Sequence, residues 1–201
     1  MLELVEVPCM TLVTRKWTRA EYEKMIEIGL LSEDERVELI RGEIVALSPI
    51  DPLHASTVDQ ANRLLNAKYG GTYVVRVQNP ILVGEDAIPQ PDLVVIEAVL
   101  AAQLVRERRH PSTAELVIEV ANTSLAYDRG EKGSLYASAH FPLYWIVNLV
   151  HEVLEVYSQP SPDPTTAFGW SYATRHRLSR GQTVEFASLT LAVSDFLPPV
   201  D

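Results

Sequence analysis

Residues 115–121 read Glu-Leu-Val-Ile-Glu-Val-Ala, a strand-prone apolar run with an acid in its interior. Alternation along a strand places Glu115, Val117, Glu119 and Ala121 on one face and Leu116, Ile118 and Val120 on the other. With apolar residues on both faces, the run predicts a strand buried inside a sheet. A carboxylate at Glu119 is then costly unless it is hydrogen-bonded, paired with a cation or bound to metal.

Two further runs extend this sheet upstream: YVVRVQ from Tyr73 and DLVVIE from Asp92, with a proline-rich turn before the second and a basic segment after it. Downstream, Asp128 with Glu131 at the capping-box position predicts a helix from Arg129 to His140, which leads through Phe141-Pro142 into LYWIVNL. Strand, helix, strand in that order indicates an α/β crossover. Towards the N-terminus, Thr18 and Glu21 cap a helix over 18–28 that ends at Gly29 and carries the stripe Tyr22, Met25, Ile26 and Leu30. RVELIRGEIVAL (36–47) spaces two β-prone runs around Arg41-Gly42, as a tight hairpin does. Asp51-Pro52 starts a second helix running to Tyr69, with His54, Val58, Ala61 and Leu65 on one stripe. Beyond 150 come VLEVYSQ, a QPSPDPTT loop expected to be mobile, a strand pair over 171–178 and 183–186, and an apolar end at 189–197. The expected fold is α/β: a mixed sheet flanked by helices, with an N-terminal helix at about 18–28, a core over about 36–157 and C-terminal strands over about 168–197, in one domain.

The 201 residues are 47% hydrophobic and carry a formal net charge of −10, so a nucleic-acid partner has to be held by local basic residues or by bound cations. Cys9 is the only cysteine, which excludes a disulfide within the chain and a cysteine zinc cluster. The N-terminus has acidic residues, Glu3 and Glu6, where a secretory signal needs positive ones, and no apolar run reaches the roughly 20 residues that span a bilayer. A cytoplasmic location is expected.

Pro89-Gln90-Pro91-Asp92 puts a second acid at the first position of its strand. Two such acids on adjacent strands make a hard oxygen site suited to Mg²⁺ or Mn²⁺. Lys132 shares a helical stripe with Leu135, Tyr136 and Ala139, which faces the sheet; near a metal it orients the attacking water or stabilises developing negative charge. On the helix alone, the ordinary account is a lysine that snorkels to Glu131 or solvent. Glu43 opens the second hairpin strand and His54 lies in the first turn of the second helix, and each is a candidate for a metal shell; an exposed strand acid and a carbonyl-bonded histidine are the plainer accounts. Gln78 ends its strand as a polar terminus. Arg106, Arg108, Arg109 and His110, and again Arg175, His176, Arg177 and Arg180, form basic clusters able to grip phosphates, although such runs are more often solvated loops.

Taken together, VELIRGEIVALSPI, His54, VQNPI, PQPDLVVI, LVIEVANTSLAYDRGEK and LYASAHFPLYWIVNL resemble the Uma-two family of restriction-endonuclease-like proteins, in the PD-(D/E)XK nuclease superfamily, from about Trp17 to Phe196. The resemblance implies that Asp92 and Glu119 are metal ligands, with Glu43 and His54 as further members of the site. The superfamily expects a lysine two residues after the second acid, where this chain has Ala121, and the family resembled supplies it from the following helix, at Lys132. The implied function is an Mg²⁺-dependent endonuclease (Mn²⁺ as an alternative) that hydrolyses DNA phosphodiesters, with Gln78, Arg106, Arg108 and Arg109 as substrate contacts and a homodimer able to cut both strands. A catalytically inactive nuclease-fold binding or assembly module is the alternative, which the net charge favours, and hydrolysis of another phosphate ester ranks third.

Overall fold

The computed structural model describes residues 14–32 and 35–199, so Cys9 lies outside the described residues. In chain order the elements are α1 (Arg19–Glu27), β1 (Val37–Ile40), β2 (Glu43–Ala46), α2 (Pro52–Tyr69), β3 (Tyr73–Val77), β4 (Leu93–Glu97), α3 (Ala98–Glu107) and β5 (Leu116–Ala121). A helix in three parts follows, α4 (Leu125–Tyr127), a π turn (Asp128–Lys132) and α5 (Gly133–Ser138). Then come β6 (Leu143–Asn148), β7 (Val153–Pro162), β8 (Trp170–Ser179), β9 (Thr183–Phe186), β10 (Leu189–Ala192) and a 3₁₀ turn (Val193–Phe196).

Strands β3 to β8 lie side by side in sequence order, antiparallel except where β5 runs parallel to β6. A parallel neighbour requires a crossover, and the three-part helix supplies it. The alternation expected of residues 115–121 is realised as two cores. Val117 and Ala121 join Val94, Ile96, Tyr144 and Ile146 under Leu135, Tyr136 and Leu104 on one face. Leu116, Ile118 and Val120 join Leu93, Trp145 and Val147 under Val58, Ala61 and Leu65 of α2 and the C-terminal Phe186, Leu191 and Phe196 on the other. The sheet is therefore covered on both sides, and an acid on either face is buried by construction.

Thr18 and Glu21 form the expected capping box, and Asp51 caps α2 through the N–H groups of Leu53 and His54. The β1–β2 hairpin turns at Arg41 (φ 53°) and Gly42 (φ 70°), as a two-residue primed turn requires. A Cβ at Gly42 would lie 2.8 Å from the Trp17 carbonyl oxygen, so the turn also seats the chain entering α1. Helix α1 packs on the hairpin through Tyr22, beside Leu39, Leu82 and Ile88.

Several local expectations are corrected. Ile26 and Leu30 are exposed rather than part of the buried stripe of α1. The segment between DLVVIE and ELVIEVA holds a helix, α3, whose Ala- and Leu-rich sequence favours one. The crossover helix begins at Leu125, and Asp128 lies inside it with helical backbone angles instead of capping it. Half of the proline-rich loop is strand: β7 continues to Pro162 and pairs with β8 up to Trp170. Strand β9 pairs with β10 rather than with the strand before it.

Trp145 is fully buried and meets Phe186 and Phe196 edge-on, with ring centroids 6.1 and 5.6 Å away. Trp145→Ala is expected to lower the unfolding free energy by about 3–5 kcal/mol in urea denaturation. A loss below about 1 kcal/mol would show that the C-terminal aromatic cap is not part of the cooperative core.

Candidate functional site

The register of β4 against β5 pairs Leu93 with Ile118, and one step further it sets Asp92 opposite Glu119. Both side chains occupy the face covered by the crossover helix. The Asp92 N–H donates to Glu119 Oε2 at 3.2 Å, so backbone geometry ties the acids together. Asp92 Oδ2 accepts from the Val120 N–H at 2.9 Å and lies 3.0 Å from His54 Nε2, and Oδ1 accepts from the Gln78 amide at 3.2 Å. An ionised carboxylate only accepts, so Nε2 of His54 carries the proton towards Asp92. Burial raises the Asp92 pKa, but the bonds and charge of His54, the Val120 N–H and the Gln78 amide outweigh it and hold the group below its ordinary value. For His54, burial acts downward, but the bond and charge of Asp92 together with the charge of Asp51 outweigh it and leave the imidazole raised.

Glu119, 4% exposed, accepts on Oε1 from Lys132 Nζ at 2.9 Å and from the Tyr136 hydroxyl at 2.7 Å. Lys132, 5% exposed, also donates to Glu38 Oε1 at 3.1 Å. Burial pushes the Glu119 carboxyl up to about 8; Lys132 opposes the rise, and Asp92, Asp128 and Glu38 add to it. Lys132 is the counterpart: burial lowers it, but Glu119, Glu38 and Asp128 together raise it well above the ordinary lysine value. Its place on a π turn carries its own signal, because such turns cluster at functional sites. Asp128, on the same turn, accepts from the Ser124 hydroxyl at 2.6 Å.

Asp92, Glu119, Asp128, Lys132 and His54 line one cavity of about 290 Å³, walled by residues 45–51, from the end of β2 to the cap of α2, and by Asn122, Thr123, Ser124 and Tyr127. The structure thus brings Asp92, Glu119, Lys132, His54 and Gln78 together. It does not bring Glu43, which is exposed at the turn end of the hairpin and pairs with Lys16. The hairpin acid that does reach the cluster is Glu38, fully buried between Val37 and Leu39. Its sequence signal was the one that marks Glu119, an acid inside an apolar strand. Arg106, Arg108 and Arg109 are exposed on α3 and the turn after it and do not line the cavity, nor do Arg175, Arg177 and Arg180. Among the described residues, no group of three or more His, Cys, Asp or Glu side chains is arranged to hold a metal ion.

The family described as "Uma2: Putative restriction endonuclease" matches residues 19–192. The chain belongs to this family. A crystal structure of "a putative nuclease belonging to DUF820" from Anabaena variabilis superposes on this Uma2 chain with a TM-score of 0.61 at 15% identity, covering 89% of this chain and 96% of the other. The shared feature at that identity is the fold, a nuclease-like mixed sheet with flanking helices. Comparison with curated proteins gives no match. No helix among the described residues of this Uma2 chain is long and apolar enough to cross a membrane.

Asp128 supplies a pH test of the cluster. Burial pushes its carboxyl from 3.8 to about 6, against the pull of Lys132 and Ser124 and with Asp92 and Glu38 adding to the rise. The folded protein therefore keeps a proton that the unfolded chain releases, and stability falls as pH rises from about 4 to about 6. Asp128→Asn removes that titration, so its thermal stability relative to wild type should increase across this window, by up to roughly 3 kcal/mol. Parallel melting curves from pH 4 to 8 would contradict this.

Proposed function

We propose that this Uma2 chain is a divalent-cation-dependent endonuclease that hydrolyses DNA phosphodiester bonds, with Mg²⁺ or Mn²⁺ as the metal. The observation that carries the reading is the juxtaposition of Asp92, Glu119 and Lys132 at one cavity, in a chain of the family described as "Putative restriction endonuclease". The donor set fits such a cation. Among the carboxylates that line the cavity, Asp92 and Glu119 are tied to each other, and two carboxylates are the protein share that Mg²⁺ ordinarily takes while it keeps several waters. Burial already raises Glu119 and Asp128, the neighbouring carboxylates add to the rise, and a cation opposes it. Asp92 and Glu119 would hold it, and when bound it supplies Lewis-acid polarisation of the scissile phosphate.

The chain's own residues do the rest. Gln78 and the Val120 N–H fix the Asp92 carboxylate, and His54 spends its Nε2 proton on Asp92, which makes it an orienting partner rather than a ligand through that nitrogen. Lys132 presents its ammonium beside Glu119, where it can hold an attacking water and offset negative charge developing on the phosphate. Tyr136 keeps its proton, because burial and the charges of Glu119 and Glu38 raise it well above the ordinary tyrosine value, and its O–H donates a hydrogen bond to Glu119.

Purified protein with Mg²⁺ or Mn²⁺ should cut plasmid DNA. Asp92→Asn and Lys132→Met should each lower the rate by about 100-fold or more. Calorimetric Mn²⁺ binding should be lost in Glu119→Ala. DNA left intact while Mn²⁺ still binds would favour the non-catalytic module, and cutting that survives Asp92→Asn would point to a contaminant.

A further inference from the structure

Lys132 reaches the acids from the crossover helix, on a long side chain with many rotamers open to it. A lysine on the strand would have its direction set by the backbone. From the helix, one ion pair with Glu119 leaves the ammonium free to swing about that oxygen. Glu119 is also the carboxylate proposed to serve the metal, and a cation there repels the ammonium. A second anchor away from the metal is needed, and the hairpin holds one.

We propose that Glu38 is the positioning residue of this site: its carboxylate, on β1, fixes the Lys132 ammonium from behind the cavity and ties it to the segment that carries Asp92. The proposal rests on the endonuclease reading for its kinetic part only. Glu38 Oε1 accepts from Lys132 Nζ at 3.1 Å and from the Gln90 N–H at 2.7 Å. Gln90 precedes Pro91-Asp92, and its side-chain amide returns to the Val37 carbonyl at 3.2 Å. The next contact along, the Ile88 N–H donating to the Leu39 carbonyl at 2.7 Å, extends the same seam. Hairpin, lysine and the Asp92 segment thus meet at one oxygen. Lys132 and Glu119 line the cavity and Glu38 does not, so Glu38 holds the lysine without competing for the cation.

Stability alone does not account for this acid. Glu38 is fully exluded from solvent and its Oε2 has no hydrogen-bond partner. A buried ion pair with an unpaired oxygen is commonly replaced by apolar side chains without loss. Ile40, next on the same face of β1, sits in the apolar core, so the hairpin can place an apolar residue there.

The test uses the full chain, with Glu38→Gln against wild type and Glu43→Gln as the comparison. Glu38→Gln should lower kcat for DNA cleavage about 10- to 100-fold with little change in KM, the scale of a misplaced catalytic group. Mn²⁺ affinity should stay within about threefold of wild type, a margin under roughly 1 kcal/mol. The Lys132 ammonium resonance, slow to exchange with water in wild type, should be lost to fast exchange in Glu38→Gln. Glu43→Gln should change none of these. An unchanged kcat, a Lys132 signal still protected, or loss of Mn²⁺ binding would each overturn the proposal, the last because it would make Glu38 a ligand. Should Glu38→Gln not fold, the wild type decides: hydrogen-bond couplings from Lys132 Nζ to the carboxylate carbons of both Glu38 and Glu119 are expected, and absence of the Glu38 coupling overturns the assignment. If wild type neither cuts DNA nor binds Mn²⁺, the endonuclease reading fails and the ammonium measurement still judges Glu38.

Discussion

A carboxylate in the middle of a doubly covered strand is the constraint around which the site is arranged. Glu119 occupies the helix-side face of β5, where its neighbours Val117 and Ala121 belong to the apolar core. Water cannot solvate it there, so every compensating group has to come from another element: Lys132 and Tyr136 from the crossover helix and the Asp92 N–H from β4. Each of those groups is in turn held by something else. The sheet register places Asp92 and the helix places Lys132, so an error in either leaves a buried charge unpaired, at a cost of several kcal/mol.

The crossover helix needs a firm anchor to present Lys132, and a second polar cluster provides one. Arg129, on the same π turn, donates through Nε to Glu155 Oε2 at 2.9 Å. Glu155 also accepts from Asn148 at 2.6 Å and from the Tyr157 hydroxyl at 2.7 Å. Burial raises the Glu155 carboxyl, but Arg129, Asn148 and Tyr157 outweigh it and hold the group down at about 2. This acid is fully satisfied, in contrast to Glu38. The comparison separates two uses of buried charge in one fold: a completed network that fixes the turn to β7, and a strained cluster with surplus negative charge at the cavity.

Much of this was legible in the sequence, and the failures share a cause. Caps and turns are local: Thr18-Glu21, Asp51-Pro52 and Arg41-Gly42 each fix their own element, and the structure carries all three. The acids Asp92 and Glu119 stood out because alternation exposes a charge on an apolar face. Glu38 carries the same mark, whereas the family resemblance points to Glu43; only tertiary packing turns the hairpin's turn end outward and its first strand inward. Asp128 illustrates a different limit. The capping-box pattern at Asp128 and Glu131 forms no cap, because the helix starts at Leu125 and the pattern falls inside it. Strand pairing in the C-terminal third was likewise beyond local reasoning, since adjacency in sequence suggested β8 with β9, whereas β8 closes on β7 across a ten-residue hairpin arm.

The position of the lysine ties the remaining features together. Ala121 is fully buried in the same apolar cluster as Leu125, where the chain leaves β5 and enters the helix. A long cationic side chain at that position would have to displace this packing. Moving the ammonium to the helix keeps the strand end tightly packed, but it separates the lysine from the acid it serves by a loop and a turn of helix. The π turn sets its approach, Arg129 pins that turn, and Glu38 with Glu119 fixes the far end of the side chain. A relocated catalytic group thus carries a supporting structure with it, and that structure, more than the acid pair alone, distinguishes a site built around Lys132 from two carboxylates that happen to face each other across a sheet.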